Sequence, residues 1–322
     1  MTSEGLFGDL VGHGLAVQLL CAALDRQRLA PAYLFAGPEG VGRRLAALRF
    51  LEGVLQVGNN LPGLRRRLAQ GNLADVLWLE PTYLHQGQTV AASQAEAQGV
   101  SRRTPPQIRL EQVREVSRFL GRRPIESDRP LVVIEAAEAM AEAAANALLK
   151  TLEEPGDGLL ILISAAPERL LNTIRSRCQW IPFLPLSPQQ MEDVCTRLAV
   201  PEEGQPTETD VPELIAMAAG SPGALLAHRR QWHRLPEGLA ARMESLSSDP
   251  LMALEVARDI CEGLDGDQQL WLLQWWQQRL WRVNGNPLQM GRLELLRKHL
   301  MGHVQPRLAW EVTLLELSRQ PG

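Results

Sequence analysis

The sequence predicts an α/β domain with a parallel sheet covered by helices, followed by a helical region. Three observations predict it. Residues 33–36 are an apolar run that leads through a glycine-rich turn into an amphipathic helix. Residues 131–134 and 159–163 are apolar throughout, as expected for strands buried on both faces, and helical patterns alternate with them. After residue 186 the regular patterns have a helical period.

The composition is that of an ordinary folded protein. Its 322 residues, 45% hydrophobic and 22% charged, are enough for two or three domains. No apolar run approaches the roughly 20 residues of a membrane span and the N-terminus lacks a signal-peptide pattern, so we expect a cytoplasmic location. The net charge of −4 argues against a surface that binds nucleic acid over its whole area.

The four cysteines are Cys21, Cys178, Cys195 and Cys261. They are far apart in the sequence. A C-x-x-C pair would indicate a metal site or a redox centre, and these cysteines form none. The sequence therefore predicts reduced thiols, with neither zinc nor a disulfide framework.

The glycine-rich turn is Gly37-Pro38-Glu39-Gly40-Val41-Gly42-Arg43-Arg44. It follows the pattern G-x-x-x-x-G-K-[ST], in which backbone N–H groups hold phosphates, a lysine reaches the outer phosphates and a hydroxyl binds magnesium. The glycines Gly37, Gly40 and Gly42 are present, but Arg43 replaces the lysine and Arg44 replaces the hydroxyl. A planar guanidinium is bulkier than an ammonium, and Arg44 puts a cation where the metal belongs.

The strand at 131–134 ends in Glu135-Ala136. A hydrolysing enzyme of this type carries two acidic residues here, one for the metal and one to activate water. Glu135 can replace the first carboxylate, but Ala136 cannot replace the second. We therefore predict that this site does not hydrolyse ATP. Nucleotide binding through the glycine backbone stays open.

The other elements are predicted from period and turn residues. Helices are expected at 13–28, 43–55, 108–120, 141–152, 188–198 and 211–219, from an N-cap at Ser221, and at 251–261, 268–283, 288–299 and 307–317. Further strands are expected at 75–79 and, after a short helix and a turn, within 172–183. The rest of 58–106 is predicted to be an insertion with loops.

Two features suit either nucleic-acid binding or packing. The run Arg65-Arg66-Arg67 is typical of a solvated helix face, with a DNA patch as the alternative. Six of the eight tryptophans lie beyond residue 231, and Trp271 and Trp275 share a helix face. Such a cluster can stack single-stranded bases, but packing against helices or a partner is favoured because basic residues are not interleaved.

Ser176-Arg177-Cys178 lies between the predicted α/β core and a proline-rich boundary. An arginine here is usually part of a surface ion pair. The alternative is an arginine finger, whose guanidinium neutralises the charge that grows on a phosphoryl group during its transfer.

Four features in this order resemble bacterial clamp-loader subunits of the AAA+ class. They are the phosphate loop at 37–44, the acidic strand end at Glu135, the run Asn146-Ala147-Leu148-Leu149-Lys150-Thr151-Leu152-Glu153-Glu154-Pro155, and Ser176-Arg177-Cys178. These motifs cover residues 8–230. The remainder of the chain resembles the family by length and helicity alone.

The resemblance implies three domains: an AAA+ ATPase-like α/β domain at 1–185, a helical lid at 186–230 and a helical collar at 231–322 that assembles a ring of five. It further implies a non-hydrolysing subunit of the DNA polymerase III clamp loader, and so membership of a nucleotidyltransferase complex. Arg177, within the motif formed with Ser176 and Cys178, would complete the ATP site of an adjacent motor subunit.

The implied partners are motor subunits, a clamp-opening subunit, the sliding clamp and, through the complex, primed DNA, with no membrane. ATP and Mg would be held by the neighbouring subunit, and this chain would have no cofactor of its own.

The chain departs from the family pattern in two places. Many relatives carry four zinc-binding cysteines between the phosphate loop and the acidic strand, but this chain has no cysteine from 22 to 177, so no zinc is expected. The lid arginine that often senses nucleotide is missing, since Gly220-Ser221-Pro222 is followed by Gly223. Two alternatives remain: a working motor ATPase of the same class, and a module that binds single-stranded nucleic acid.

Overall fold

A computed structural model of the chain describes residues 3–56, 63–95, 97–100, 104–154, 156–198, 211–246, 249–302 and 304–318. The chain forms two compact units, Met1–Leu198 and Ala199–Gly322. The predicted division into 1–185, 186–230 and 231–322 stays a prediction.

The first unit is built on a five-stranded sheet. Its strands are β1 (Ala32–Ala36), β2 (Val76–Leu79), β5 (Leu131–Ile134), β6 (Leu159–Ser164) and β7 (Gln179–Pro182). Their order is β2-β5-β6-β1-β7, and all neighbouring pairs are parallel. A parallel pair needs a crossover connection, and helices supply these crossovers.

The helices of the first unit are α1 (Ser3–Leu6), α2 (Gly14–Asp25), α3 (Arg43–Gln56), α4 (Leu64–Ala69), α5 (Leu110–Leu120), α6 (Glu142–Glu153), α7 (Asn172–Arg175) and α8 (Pro188–Leu198). They cover both faces of the sheet. In β1, Tyr33 and Phe35 pack with residues of α2 and α3, whereas Ala32 and Leu34 pack with residues of α5 and α6. Successive strand residues point to opposite faces, so a strand covered on both sides must be apolar throughout. The predicted α/β class is confirmed.

The segment predicted as an insertion with loops contains more regular structure than expected. Besides β2 and α4, it holds an antiparallel hairpin of β3 (Thr82–His85) and β4 (Gln88–Ala91). The loop residues Gln86 and Gly87 have φ values of 50° and 80°, the left-handed conformation that a tight two-residue turn needs. Sequence reasoning missed the turn because glutamine, unlike asparagine or glycine, is not a residue typical of that conformation. Residues 57–62, 96 and 101–103 of this segment lie outside the described residues.

The described part of the second unit contains helices and no strand. They are α9 (Pro212–Ala218), α10 (Pro222–His233), α11 (Leu239–Glu244), α12 (Pro250–Gly263), α13 (Gly266–Asn284), α14 (Pro287–Met301) and α15 (Pro306–Ser318). Ser221 caps α10 by accepting a hydrogen bond from the Ala224 N–H, as predicted. The short helix α11 was not predicted. Among the described helices, none has the length and apolar character needed to cross a membrane.

Three of the six tryptophans beyond residue 231 lie in the core of the second unit, whereas Trp281 is 54% exposed. Trp275, Trp276 and Trp310 are buried, and the rings of Trp232 and Trp275 lie 5.2 Å apart. Buried rings cannot stack on bases. The structure therefore favours the packing interpretation over a single-strand platform.

The arginine run is engaged in ion pairs. Arg65 Nε lies 3.0 Å from the buried carboxylate of Glu52, and Arg67 Nη2 lies 2.7 Å from Glu126. These contacts attach α4 to α3 and to the segment before β5. Two of the three guanidinium groups thus serve the fold, which argues against a DNA patch here.

Candidate functional site

The phosphate loop keeps the backbone shape that its glycines allow. Gly40 and Gly42 have φ values of 76° and 114°, which favour glycine. A Cβ at Gly37 would lie 2.1 Å from the carbonyl oxygen of Phe183. Two of the loop glycines are thus required by conformation, and Gly37 by the close approach of the chain that follows β7.

A side chain at the start of α2 holds the phosphate loop in place. His13, the N-cap residue of α2, donates a hydrogen bond from Nε2 to the Val41 carbonyl oxygen at 2.8 Å, and its ring lies 4.9 Å from that of Phe183. Burial lowers the pKa of His13, and the hydrogen bond to Val41 partly opposes this. A neutral imidazole is a single donor at this position. Sequence reasoning did not single out His13, because nothing local signals a contact 28 residues away.

Arg43 begins α3 and turns into the protein. The residue is only 7% exposed, and its Nε and Nη1 atoms are buried without a hydrogen-bond partner in the described part of the chain. Burial lowers the pKa of this guanidinium, while Glu138, Glu39 and Glu135 act in the opposite direction. The loop therefore contains its own buried cation.

Arg44 closes the position at which a metal would be held. Its Nη1 lies 3.0 Å from Glu135 Oε1, and its guanidinium carbon lies 4.9 Å from the centre of the Trp78 ring. Burial raises the pKa of Glu135, and Arg44 opposes that rise. The carboxylate that could serve a metal is engaged by an arginine instead.

The position of a water-activating carboxylate is occupied by a methyl group. Ala136 has a φ of 44°, in the left-handed region that non-glycine residues rarely adopt. Two residues further along, Glu138 accepts a hydrogen bond from the Ala165 N–H at 3.0 Å, which ties the end of β5 to the end of β6. Glu138 Oε2 is buried and has no hydrogen-bond partner among the described residues. Glu138 is a site residue that the sequence analysis missed.

The structure thus brings Gly37, Gly40, Gly42, Arg43, Arg44 and Glu135 to one end of the sheet. The set does not fit a magnesium-bound nucleotide held in the usual way. The lysine, the hydroxyl and the second carboxylate are missing, the first carboxylate is paired with Arg44, and a buried guanidinium begins the helix that would receive the phosphates.

Arg177 follows the one-turn helix α7. Its Nη1 donates a hydrogen bond to the Thr173 carbonyl oxygen at 3.0 Å, and its Nη2 lies 2.9 Å from Glu153 Oε1. The Arg177 side chain is 36% exposed. The guanidinium is therefore held at the surface with a defined orientation.

The two residues beside Arg177 support the turn. Ser176 Oγ donates to the Thr173 carbonyl oxygen at 3.2 Å. Cys178 packs against the core on one side of the sheet, and burial raises the pKa of its thiol to about 12. Such a thiol stays protonated at neutral pH, so Cys178 has a packing role and is not a reactive nucleophile.

The phosphate loop and Arg177 lie at opposite ends of the strands, the loop at the carboxyl ends and Arg177 at the amino ends. β1 and β7 are adjacent and parallel, with Tyr33 beside Gln179 and Ala36 beside Pro182. The loop follows the carboxyl end of β1, whereas Ser176-Arg177-Cys178 precedes the amino end of β7. At about 3.3 Å per residue, the three steps from the first to the fourth paired position span about 10 Å of strand, and both motifs lie beyond these ends.

Comparisons with known proteins agree along the chain. Residues 12–187 match the family model described as DNA polymerase III, delta subunit, and residues 189–317 match the one described as cyanobacterial DNA polymerase III delta prime, C-terminal domain.

Two curated relatives are named DNA polymerase III subunit delta'. The chain is 37% identical to the one from Pseudomonas aeruginosa over 205 residues, and 34% identical to the one from Bacillus subtilis over 184 residues. These alignments cover 61% and 55% of this chain, and 55% and 49% of the respective relatives. The chain thus spans about half the length of the curated relatives that it matches.

The fold is similar to that of a DNA polymerase III gamma subunit-related protein from Thermotoga maritima, with a TM-score of 0.52 and 18% identity over 93% of this chain and 98% of the other. That similarity concerns the fold alone. The two family models and the delta' relatives show that the chain belongs to the family of DNA polymerase III delta and delta-prime subunits.

Proposed function

We propose that this chain is a clamp-loader subunit that hydrolyses no ATP itself and supplies Arg177 to the ATP site of a neighbouring subunit. The main support for this role is that Arg177 and the phosphate loop lie at opposite ends of the parallel strands. An arginine that precedes the amino end of β7 cannot contact a phosphate held beyond the carboxyl end of β1, but it can reach a phosphate that another chain presents.

The chemistry of Arg177 supports this role. During phosphoryl transfer, negative charge spreads over the oxygens of the transferred group, and a guanidinium with several N–H donors stabilises it. Of the five N–H donors of Arg177, one is directed to Thr173 and one to Glu153. The side chain is exposed enough to reach a ligand and held firmly enough to lose little freedom on contact.

The altered phosphate loop supports the absence of hydrolysis. Arg43 is buried, Arg44 is paired with Glu135, and Ala136 provides no group that could activate water. In this proposal the loop and its helix are a scaffold that orients α3 and β1.

The proposed partners follow from the family. They are motor subunits that hold ATP and magnesium, a clamp-opening subunit, the sliding clamp and, through the assembled complex, primed DNA. In this arrangement the chain takes one place in a ring of five within the cytoplasm. We propose no zinc and no cofactor bound by this chain.

The central test is a reconstituted loader that contains this chain, the motor subunits and the clamp-opening subunit. Arg177→Ala should lower DNA-stimulated ATP hydrolysis at the receiving site by at least about tenfold and slow clamp loading, because one transition-state charge is left uncompensated. Arg177→Lys should fall between wild type and alanine, since it keeps the charge and loses the planar fork. Arg169→Ala, which removes an exposed arginine eight residues earlier in the chain, is the matched control. Unchanged hydrolysis with Arg177→Ala would refute the role of Arg177.

A second measurement separates this proposal from a working motor ATPase. The isolated chain should have no magnesium-dependent turnover of ATP. Stoichiometric turnover that disappears when Arg43 is replaced would favour the motor alternative instead.

A further inference from the structure

The last residue of α6 contacts the guanidinium of Arg177. Glu153 Oε1 lies 2.9 Å from Arg177 Nη2, and the two side chains are 54% and 36% exposed. The residues are 24 positions apart, so the pair joins two elements, α6 and the turn after α7. An ion pair this exposed contributes little to stability. The contact fixes where one terminal nitrogen of the guanidinium lies.

The position of Glu153 is not one that favours the helix itself. The carboxyl end of a helix carries partial negative charge, so an acidic residue in the last turn is unfavourable there. Glu153 ends α6 and is followed by a second carboxylate, Glu154. The ion-pair partner of Glu153 is Arg177.

We propose that Glu153 is a positioning residue that sets the orientation of the Arg177 guanidinium toward the phosphate of a neighbouring subunit. This inference rests on the role of Arg177 proposed above. The guanidinium has two contacts, with Thr173 in the preceding helix α7 and with Glu153 on α6. Two fixed points define the direction of a planar group, whereas the Thr173 contact alone leaves it free to rotate.

The two contacts orient the Arg177 guanidinium without using all of its N–H donors. The two contacts use the terminal nitrogens Nη1 and Nη2, one bond to each. Each terminal nitrogen carries two N–H groups, so each keeps a donor that can be presented to a phosphate oxygen while the contacts persist. Glu153 therefore need not release Arg177 for the arginine to act.

The test uses the reconstituted loader with Glu153→Gln, Arg177→Ala and the double variant. Glu153→Gln should lower kcat for DNA-stimulated hydrolysis by about three- to tenfold and leave the KM for ATP within about twofold, because misorientation affects the transition state more than nucleotide binding. In the Arg177→Ala background the same change should have no further effect. Glu154→Gln, which neutralises the adjacent exposed carboxylate, should behave as wild type. The melting temperature of the isolated chain should not change with Glu153→Gln.

The outcomes separate the two proposals. If Arg177→Ala lowers hydrolysis but Glu153→Gln leaves it unchanged or raises it, the positioning role is wrong and the finger stands. If Glu153→Gln lowers hydrolysis equally in both backgrounds, it acts independently of Arg177 and the positioning role is again wrong. If Arg177→Ala itself has no effect, the proposed function fails first.

Discussion

The Arg44 guanidinium lies 3.0 Å from the Glu135 carboxylate, where a catalytic member of this fold would carry a hydroxyl and a metal ion. Glu135 is largely buried, with 19% of its side chain exposed, whereas Arg44 is 61% exposed. The pair therefore keeps a buried carboxylate charged. It replaces metal binding by an internal ion pair.

Replacing Arg44 should make the free energy of unfolding depend more strongly on the protonation of Glu135. The folded-state pKa of Glu135 is already raised by burial, and Arg44→Ala should raise it further. A raised carboxyl pKa gives stability that is present below the unfolded pKa and lost as pH rises through the folded pKa. Arg44→Ala should thus be destabilising at pH 7, by about 1 kcal/mol or less because the pair is partly exposed.

Urea unfolding of the single variant Arg44→Ala and of the double variant Arg44→Ala/Glu135→Gln measures this loss of stability. The double variant should be the more stable at pH 7, and the difference should shrink as pH falls toward about 4, where the carboxyl protonates in both folded and unfolded states. A difference that does not vary with pH would contradict the assignment.

Arg43 and Arg49 on α3 should respond in opposite ways to replacement by methionine. Arg43 is buried, and its Nε and Nη1 atoms have no hydrogen-bond partner among the described residues, so Arg43→Met removes a desolvated charge and should be neutral or stabilising, by about 1–3 kcal/mol. Arg49 Nε lies 2.9 Å from Asp9, and its Nη1 lies 3.3 Å from the buried Glu52. Arg49→Met leaves both carboxylates without this partner and should destabilise by about 2–4 kcal/mol.

Chemical denaturation at pH 7 measures both changes in one experiment. The decisive result is which of the two variants has the higher free energy of unfolding. Equal destabilisation would mean that Arg43 has a partner that compensates its charge.

Gly37→Ala should destabilise the first unit. The added Cβ would lie 2.1 Å from the Phe183 carbonyl oxygen, so β7 or the loop must shift, at a cost of about 2 kcal/mol or more. Gly14→Ala is the matched control, because no heavy atom lies within 4 Å of its Cβ and the residue is helical. It should change the free energy of unfolding by less than about 1 kcal/mol and in the stabilising direction. Thermal unfolding of both variants tests the contrast.

Asp75 should be a pH-dependent anchor of the segment before β5. Its carboxylate accepts hydrogen bonds from the backbone N–H groups of Ile125, Glu126 and Ser127 and from the Ser127 hydroxyl. Burial alone would raise the pKa of Asp75, but these hydrogen bonds, that from Glu126 foremost, lower it below the ordinary value. A lowered pKa gives stability that is present above the unfolded pKa and lost as pH falls through the folded pKa.

Asp75→Asn should therefore destabilise the chain at pH 7 by about 1–3 kcal/mol. The loss relative to wild type should shrink as pH falls below about 4, where wild type also loses its charge. Asp128→Asn, at an exposed position of the same segment, should have little effect at either pH. Equal losses at pH 7 and pH 3 would contradict the role of the Asp75 charge.

The elements with strong local signals were predicted well. The all-apolar strands at 131–134 and 159–163 occur as β5 and β6, and the Ser221-Pro222 start occurs as the beginning of α10. The hairpin of β3 and β4 was missed because its turn, Gln86-Gly87, depends on a left-handed glutamine. Propensity disfavours that conformation, and only the pairing of the two strands holds it.

The sequence alone determined that the chain has an α/β unit, a helical remainder and a phosphate loop that lacks the usual lysine and hydroxyl, because these conclusions rest on period, residue type and spacing. Only the tertiary structure decided that Arg44 pairs with Glu135, that Arg43 is buried, and that Arg177 lies with Glu153 at the end of the strands opposite the loop. The physical reason is the strand order β6-β1-β7. This order brings together segments more than a hundred residues apart and sets which end of each strand faces which edge, and no local pattern encodes that.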